Sequence, residues 1–390
     1  MDGITCFSGA TIIVGTDFEV IQNASVNVEN GRILSIGEPI PGAVEVDLES
    51  GLICPMFINA HCHIGDTGAK ELGIGIPMEE VVSPPDGLKH RFLSKLNRED
   101  QIAQMRHGLL EMLSNGTIAC GDFREQGLEG VLRLREAANG LPIYLKILGR
   151  VCETATESEL ELEAIELLNT ADGFGVRDVD CYSAALLKRL QLLFPEKLFA
   201  VHVAENEQAE AKSVKKFGRG QALRALDWNP DILVHLTHTS KRELREIKAS
   251  GVNVVACPQS NSILGDGFPN LKGWLDEDLT FGLGTDNLMA TAPNMLREMS
   301  YTSRMIRGIS KNAGAVDSKT ILMAATIMGA KVLNLEKDLG SLSRGKLANF
   351  LVFDLNSRNL KYNHDPISAL VNRAGVNDIK TIYIKGVKYK

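Results

Sequence analysis

Residues 57–65 read "FINAHCHIG", an apolar run that ends in two histidines flanking a single residue. In an extended strand successive side chains alternate faces, so His61 and His63 point to the same side, about 7 Å apart along the chain. That span allows two imidazoles to meet one metal ion at Zn–N distances of about 2.1 Å. Taken alone, the pair fits the polar end of an ordinary strand equally well. What lies elsewhere in the chain decides between the two.

Working outward, short apolar strands alternate with longer helical patterns. The strand candidates are "MFINAHCHI", "GTIACGDF", "PIYLKILGR", "DGFGVRDV", "LFAVHVAE", "DILVHLTH", "VNVVACP" and "LTFGLGTD". Helical stretches such as "REDQIAQMRHGLLEMLSNG" and "TSKRELREIKASG" lie between several of them, the second with Thr239 or Ser240 as N-cap. Eight strand-helix units predict an α/β fold, a TIM-like (β/α)8 barrel whose site lies at the C-terminal ends of its strands. Residues 55–339 are assigned to this barrel.

Both ends of the chain read differently. In "ASVNVENGRILSIGE" apolar residues alternate on either side of Asn30-Gly31, a strong hairpin signal. "LANFLVFDL" and "IKTIYIKGVKYK" near the C-terminus are also strand-like. Residues 1–54 and 340–390 are therefore expected to pair into one small β-sandwich domain.

The barrel rule supplies a test of the opening question. His61 and His63 fall near the end of the first strand, His202 near the end of the fifth, His235 of the sixth and Asp286 of the eighth. Strand ends of a closed barrel converge on one mouth, so these residues become neighbours. Three of these four imidazoles with the one carboxylate suit Zn²⁺ or Fe²⁺ and leave a position for water.

The H-x-H of "NAHCHIG", the H-x-x-E of "VHVAENE", the histidine of "LVHLTH", and the runs "CPQSN" and "GTDN" together resemble the amidohydrolase superfamily. Order and spacing look most like the branch of cytosine, guanine and S-adenosylhomocysteine deaminases and related chlorohydrolases. The resemblance covers nearly the whole chain, "GSLSRGKLANFLVFD" being similar to the family's return to its small β-sandwich. It implies that His61, His63, His202 and Asp286 bind one divalent metal, Zn²⁺ or else Fe²⁺. It further implies that Asp286 deprotonates the attacking water, that Glu205 passes a proton to substrate, and that His235 polarises or orients the attacking group. A divalent metal lowers the pKa of its water from 15.7 towards about 7. Two carboxylates in different environments can divide the proton transfers that follow.

Strand parity constrains these roles. Glu205 lies three residues beyond His202, so the strand must end or bend near Val203 for both to face the mouth. His235 and His238 share the problem, and at most one of them faces inward; the resemblance selects His235. Binuclear members of the superfamily carry a modified lysine at the end of the fourth strand, where this chain has "DGFGVRDV"; Lys146 sits on the third. One metal is expected. His107 reads as a surface or interface residue of a helix, and His364 as a turn residue of the small domain. Lys89 and His90, in the Gly/Pro-rich stretch after the first strand, are candidate substrate contacts, where with Lys70 they could meet an anionic group. Arg177 and Asn261 complete the candidate substrate contacts.

Composition excludes other functions. The formal net charge is -7, which argues against broad binding of phosphate backbones and hence of nucleic acid. The basic stretches "AKSVKKFGRG" and "SKRELREIKAS" read as solvated helix faces. No segment has 18 uninterrupted apolar residues, and the N-terminus lacks a secretory pattern. The seven cysteines, Cys152 among them, have no paired spacing and several sit in apolar runs, which reads as reduced thiol. A cytoplasmic homo-oligomer is expected.

The runs "VRDVDCYS" and "GDTGAKELGIG" depart from those usual in nucleoside-type and adenosylhomocysteine deaminases, and both would touch substrate rather than metal. Hydrolysis is therefore firmer than substrate identity. The expected reaction is deamination of an amino-substituted N-heterocycle with release of ammonia. The alternatives are expulsion of another group such as halide, cleavage of an amide or formimino bond, and a non-catalytic scaffold of the same fold. Ammonia release separates the first from the next two, and metal content separates the last.

Overall fold

The computed structural model describes residues 3–83, 86–151 and 156–390, so Cys152 lies outside the described residues. Eight parallel strand positions form the barrel: Phe57–His63, Thr117–Arg124, Tyr144–Gly149, Gly173–Val176, Leu198–Val203, Ile232–His235, Asn253–Ala256 and a last position split into Gly282–Leu283 and Asp286–Asn287. Each pairs in parallel with its sequence neighbours. The split strand closes the ring, because Gly282–Leu283 pairs with Asn253–Ala256 while Asp286–Asn287 pairs with Phe57–His63. Closure needs Gly284 between the two pieces: a Cβ there would sit 2.7 Å from the His61 carbonyl oxygen.

Strands Phe57–His63, Thr117–Arg124 and Leu198–Val203 are buried from end to end, as strands covered by helices outside and by side chains within are expected to be. The helices bury one stripe each. In Arg98–Ser114 the stripe is Met105, Leu109, Met112 and Leu113, spaced at helical period, and the Asn97 side chain caps the first turn by accepting from the Asp100 N–H. Ser240 caps the helix Lys241–Ser250 within a full capping box. No helix among the described residues is long and apolar enough to cross a membrane.

The chain ends build one eight-stranded mixed sheet. Its order is Val387–Lys388, Ile379–Ile384, Phe350–Phe353, Leu52–Pro55, Thr5–Val14, Glu19–Glu29, Arg32–Gly37, with Val44–Asp47 also on Thr5–Val14. Asn30 and Gly31 join the hairpin with φ of +51° and +74°, as a tight two-residue turn requires. That hairpin folds back onto the segment entering Phe350–Phe353, with Ile33 N–H donating to Lys346 O at 2.9 Å and Ala348 N–H to Gly31 O at 2.9 Å. The rings of Phe7, Phe350 and Tyr383 meet in its core with centroids 4.7 to 5.1 Å apart.

Period two also explains how sheet and barrel are joined. Ile53, Phe350, Val352 and Tyr383 belong to the sheet's own core, whereas the alternating residues Leu52, Cys54, Leu351, Phe353, Ile382 and Ile384 belong to the barrel core. These three strands are therefore apolar on both faces. One element departs from the β-rich reading of the C-terminal stretch: the helix Pro366–Asn372 packs on the barrel helices Met295–Ser310 and Ser318–Ala324, with Ser303 Oγ donating to Asn372 Oδ1 at 2.8 Å.

Candidate metal centre and active site

The strand ends bring five side chains into one buried cluster. His61 Nε2 lies 3.2 Å from Asp286 Oδ1 and 3.4 Å from His202 Nε2, and His63 Nε2 is 3.4 Å from the same Asp286 oxygen. Donor atoms of His61, His63 and Asp286 all fall within 4.8 Å of one another, as do those of His61, His202 and His235.

The backbone bends where parity demands it. The fifth strand stops at Val203 and Ala204 has φ of +49°, which turns Glu205 back to the mouth. His235, Leu236 and Asp286 also have positive φ, an uncommon backbone for residues other than glycine, and all lie at strand ends around the cluster. His235 Nε2 is 3.5 Å from Glu205 Oε1. His238 turns away, its Nε2 lying 2.6 Å from the Asp266 carbonyl oxygen.

Electrostatics fit a divalent cation. Burial holds His61, His63 and His202 neutral, His63 with its pKa lowered to about 3 by burial and by the Lys89 ammonium, and neutral imidazole is the ligating form. Burial opposes the charge on Asp286, but the His61 hydrogen bond and the nearby imidazoles outweigh it and hold the carboxyl well below its usual range. Ser260 Oγ donates to the other oxygen, Asp286 Oδ2, at 2.5 Å. The Nε2 atoms of His61 and His202 face one another at 3.4 Å, so in the ligating form their lone pairs would converge where a cation would sit. Glu205 is the reverse case: burial, with Asp286 and Asp178 as carboxylate neighbours, pushes its pKa well up and favours the protonated acid.

A cavity opens over the cluster, lined by His63, His202, Glu205, Asp286, Val82, Lys89, Glu125, Arg150, Arg177 and Asn287. The four candidate substrate contacts thus divide. Arg177 and Lys89 line it. Lys89 is 2 % exposed, with its ammonium 2.6 Å from Glu125 Oε1, 3.3 Å from Asp66 Oδ2 and 3.0 Å from Asn287 Oδ1, so its donors are directed at the protein. The other two, His90 and Asn261, lie outside the lining. His90 donates from Nε2 to the Val82 carbonyl oxygen at 3.1 Å and does not line the cavity. Asn261 is fully buried behind the cluster, its Nδ2 3.2 Å from His235 Nδ1, so it holds the imidazole rather than reaching a substrate. Lys70 pairs with Glu111 at 2.7 Å, also outside the cavity.

Sequence reasoning missed Glu125, Arg150 and Asn287. Glu125 follows the second strand and Arg150 the third, so the rule that found the histidines would have flagged both had it been applied to every charged residue. Glu125 accepts from His63 Nδ1 at 2.9 Å and pairs with Arg124, whose guanidinium also faces Asp122 at 3.5 Å.

The amidohydrolase family model matches residues 52–388. A protein of Methanothermobacter thermautotrophicus carrying the provisional name aminohydrolase is 32% identical over 373 residues, 94% of each chain. A 5-methylthioadenosine/S-adenosylhomocysteine deaminase of Thermococcus kodakarensis is 28% identical over 398 residues, 96% of this chain and 91% of its own. Among solved structures, a zinc-bound adenosine deaminase from Xanthomonas campestris superposes with a TM-score of 0.86 at 21% identity, over 98% of this chain and 92% of that one. With the barrel, the terminal sheet and the match across most of its length, the chain belongs to the amidohydrolase family of hydrolases.

Proposed function

We propose that this hydrolase deaminates an amino-substituted nitrogen heterocycle, with His61, His63, His202 and Asp286 holding one divalent metal, Zn²⁺ foremost. The observation that carries the reading is the convergence of His61, His63, His202 and the Asp286 carboxyl beside the Glu205 carboxyl, at the wall of a cavity. The deaminase relative and the zinc-bound deaminase fold support it. When bound, the ion supplies Lewis acidity that makes water a nucleophile near neutral pH.

The chain's own residues divide the rest. Asp286 Oδ1, at the centre of the cluster, takes a proton from the attacking water, while Ser260 steadies its other oxygen. Glu205, held as the acid, gives its proton to the ring nitrogen beside the attacked carbon; the proton taken by Asp286 then passes to the amino group, which leaves as ammonia while Glu205 recovers its own. His235 sits 3.5 Å from Glu205; Asn261, donating to Nδ1, leaves its Nε2–H pointing towards Glu205 to orient the attacking oxygen. The helix Leu88–Leu93 brings Lys89 to the mouth.

The test is a screen of amino-substituted purines, pyrimidines, pterins and triazines for ammonia release by zinc-replete enzyme. Ammonia from one class at stoichiometry with the hydroxylated product is expected. Turnover of halogenated analogues alone, with no ammonia from any amino compound, would replace deamination by another displacement.

A further inference from the structure

Each of the three histidines at the centre has a second ring nitrogen, and the three are treated differently. His202 Nδ1 faces the Val176 carbonyl oxygen at 3.2 Å, a backbone acceptor on the adjoining strand. His61 Nδ1 has no hydrogen-bond partner among the described residues. His63 Nδ1 alone meets a side chain, Glu125 Oε1 at 2.9 Å. That carboxylate is 3 % exposed and stands among Lys89, Arg124 and, at 3.8 Å, Arg150. An ionised carboxylate can only accept, so Nδ1 must carry the proton and Nε2, facing Asp286, must carry the lone pair.

The partner of Glu125 comes from a different part of the chain. Lys89 lies on the short helix Leu88–Leu93, in the segment between the first barrel strand and the helix Arg98–Ser114. Its ammonium reaches Asp66 at the start of that segment, Glu125 just after the second strand, and Asn287 next to Asp286. One buried cation thus fastens the segment to the carboxylate that faces His63 and to the residue next to Asp286.

We infer that Glu125 is the positioning residue for His63, and that Lys89 couples the docking of residues 65–83 and 86–91 to the integrity of the metal centre. The inference rests on the reading of His63 as a ligand. In this arrangement the segment that helps shape the substrate cavity cannot lift away without releasing Glu125, and with it the orientation of the His63 ring.

Zinc affinity, measured by chelator competition on apo protein, tests this with wild type, Glu125→Gln, Lys89→Met and, as control, Lys70→Met. Removing a ligand-orienting partner typically weakens metal binding by about 10- to 100-fold. Such a loss is expected for Glu125→Gln and Lys89→Met, with Lys70→Met unchanged and the apo circular dichroism of all four alike. In zinc-loaded protein the His63 Nδ1 proton should shift upfield in both active-site variants, while that of His202 stays in place. Hydrogen exchange across residues 65–83 and 86–91 should quicken in Lys89→Met. If Glu125→Gln does not fold, Lys89→Met carries the test, since it leaves the carboxylate in place. Affinities within twofold of wild type, or an unmoved His63 proton, would overturn the inference while leaving the metal centre intact. A wild-type chain that binds no zinc would instead remove the centre, and this inference with it.

Discussion

The sheet made by the two chain ends and the mouth of the barrel are both assembled from residues far apart in sequence, yet they are filled with opposite chemistry. In the sheet, Phe7, Phe350, Tyr383 and their aliphatic neighbours bury apolar surface, while charges such as Arg32 and Asp338, 2.7 Å apart, stay at the rim. At the mouth, His61, Asp66, Asp122 and His235 are all fully buried. Burying apolar surface stabilises a fold; burying charge costs stability unless every group is paired. The sheet holds the molecule together, and the mouth spends part of that stability on positioned charge.

Changes at the mouth should therefore fall on activity. Glu205→Gln is expected to keep its zinc and lose about 10²- to 10⁴-fold in turnover, the usual worth of a positioned proton donor. Asp286→Asn should lose both, because the proposed mechanism uses it as ligand and as base. Zinc content and kcat measured on the same preparations check this; near wild-type turnover in Glu205→Gln would remove the proton-transfer role.

Changes in the sheet should fall on stability. Phe350→Ala empties a fully buried site against Phe7 and Tyr383 and should cost about 3 to 5 kcal/mol in denaturant unfolding, with kcat per bound zinc unchanged. Ending the chain at residue 339 removes Leu351, Phe353, Ile382 and Ile384 from the barrel core and exposes the edge of Leu52–Pro55, so insoluble protein is expected. A soluble and active fragment of residues 55–339 would show that the terminal sheet is dispensable and erase the contrast.

The smallest effect belongs to a buried carboxyl on the barrel helix Met295–Ser310. Glu298 is fully buried and accepts from the Gln259 N–H and Nε2, and burial raises its pKa from 4.5 to about 7. The folded state binds this proton more tightly than the unfolded state. Its contribution is thus complete below about pH 4.5 and is lost as pH rises through 7. Glu298→Gln cannot lose it. Because a tenfold difference in proton affinity is worth roughly 1.4 kcal/mol, the stability of wild type relative to the variant should fall by about 1 to 3 kcal/mol between about pH 4.5 and 8. A difference flat across that range would mean that Glu298 titrates normally.

Much of this was legible in the sequence wherever function and period coincide. His61, His63, His202 and Asp286 end apolar runs, so strand register alone aims them at one mouth, and the positive φ of Ala204 meets the bend that Glu205 demanded. The Asn30-Gly31 hairpin was legible because its turn chemistry is local. Residues whose role depends on a partner far along the chain were not. Asn261 reads as a polar group near the site, and only the packing of its helix behind His235 shows that it faces an imidazole. Lys89 and His90 are adjacent and alike in sequence, but helical geometry sends one to Glu125 and the other to a backbone carbonyl. The helix Pro366–Asn372 was hidden by the strand-like runs on either side of it.

The pairing of Pro55 with Phe350 bears on how the chain is made. The N-terminal strands leave the ribosome first, but the strand that completes their sheet is synthesised roughly 300 residues later, about a quarter of a minute to a minute afterwards at 5–20 residues per second. Throughout that interval Leu52–Pro55 waits with an open edge and two apolar faces, while the barrel forms beyond it. Such long-range closure is slow and exposes the nascent chain to aggregation. Yield in a cell should therefore depend on chaperone supply and translation rate more than the stability of the finished molecule would suggest.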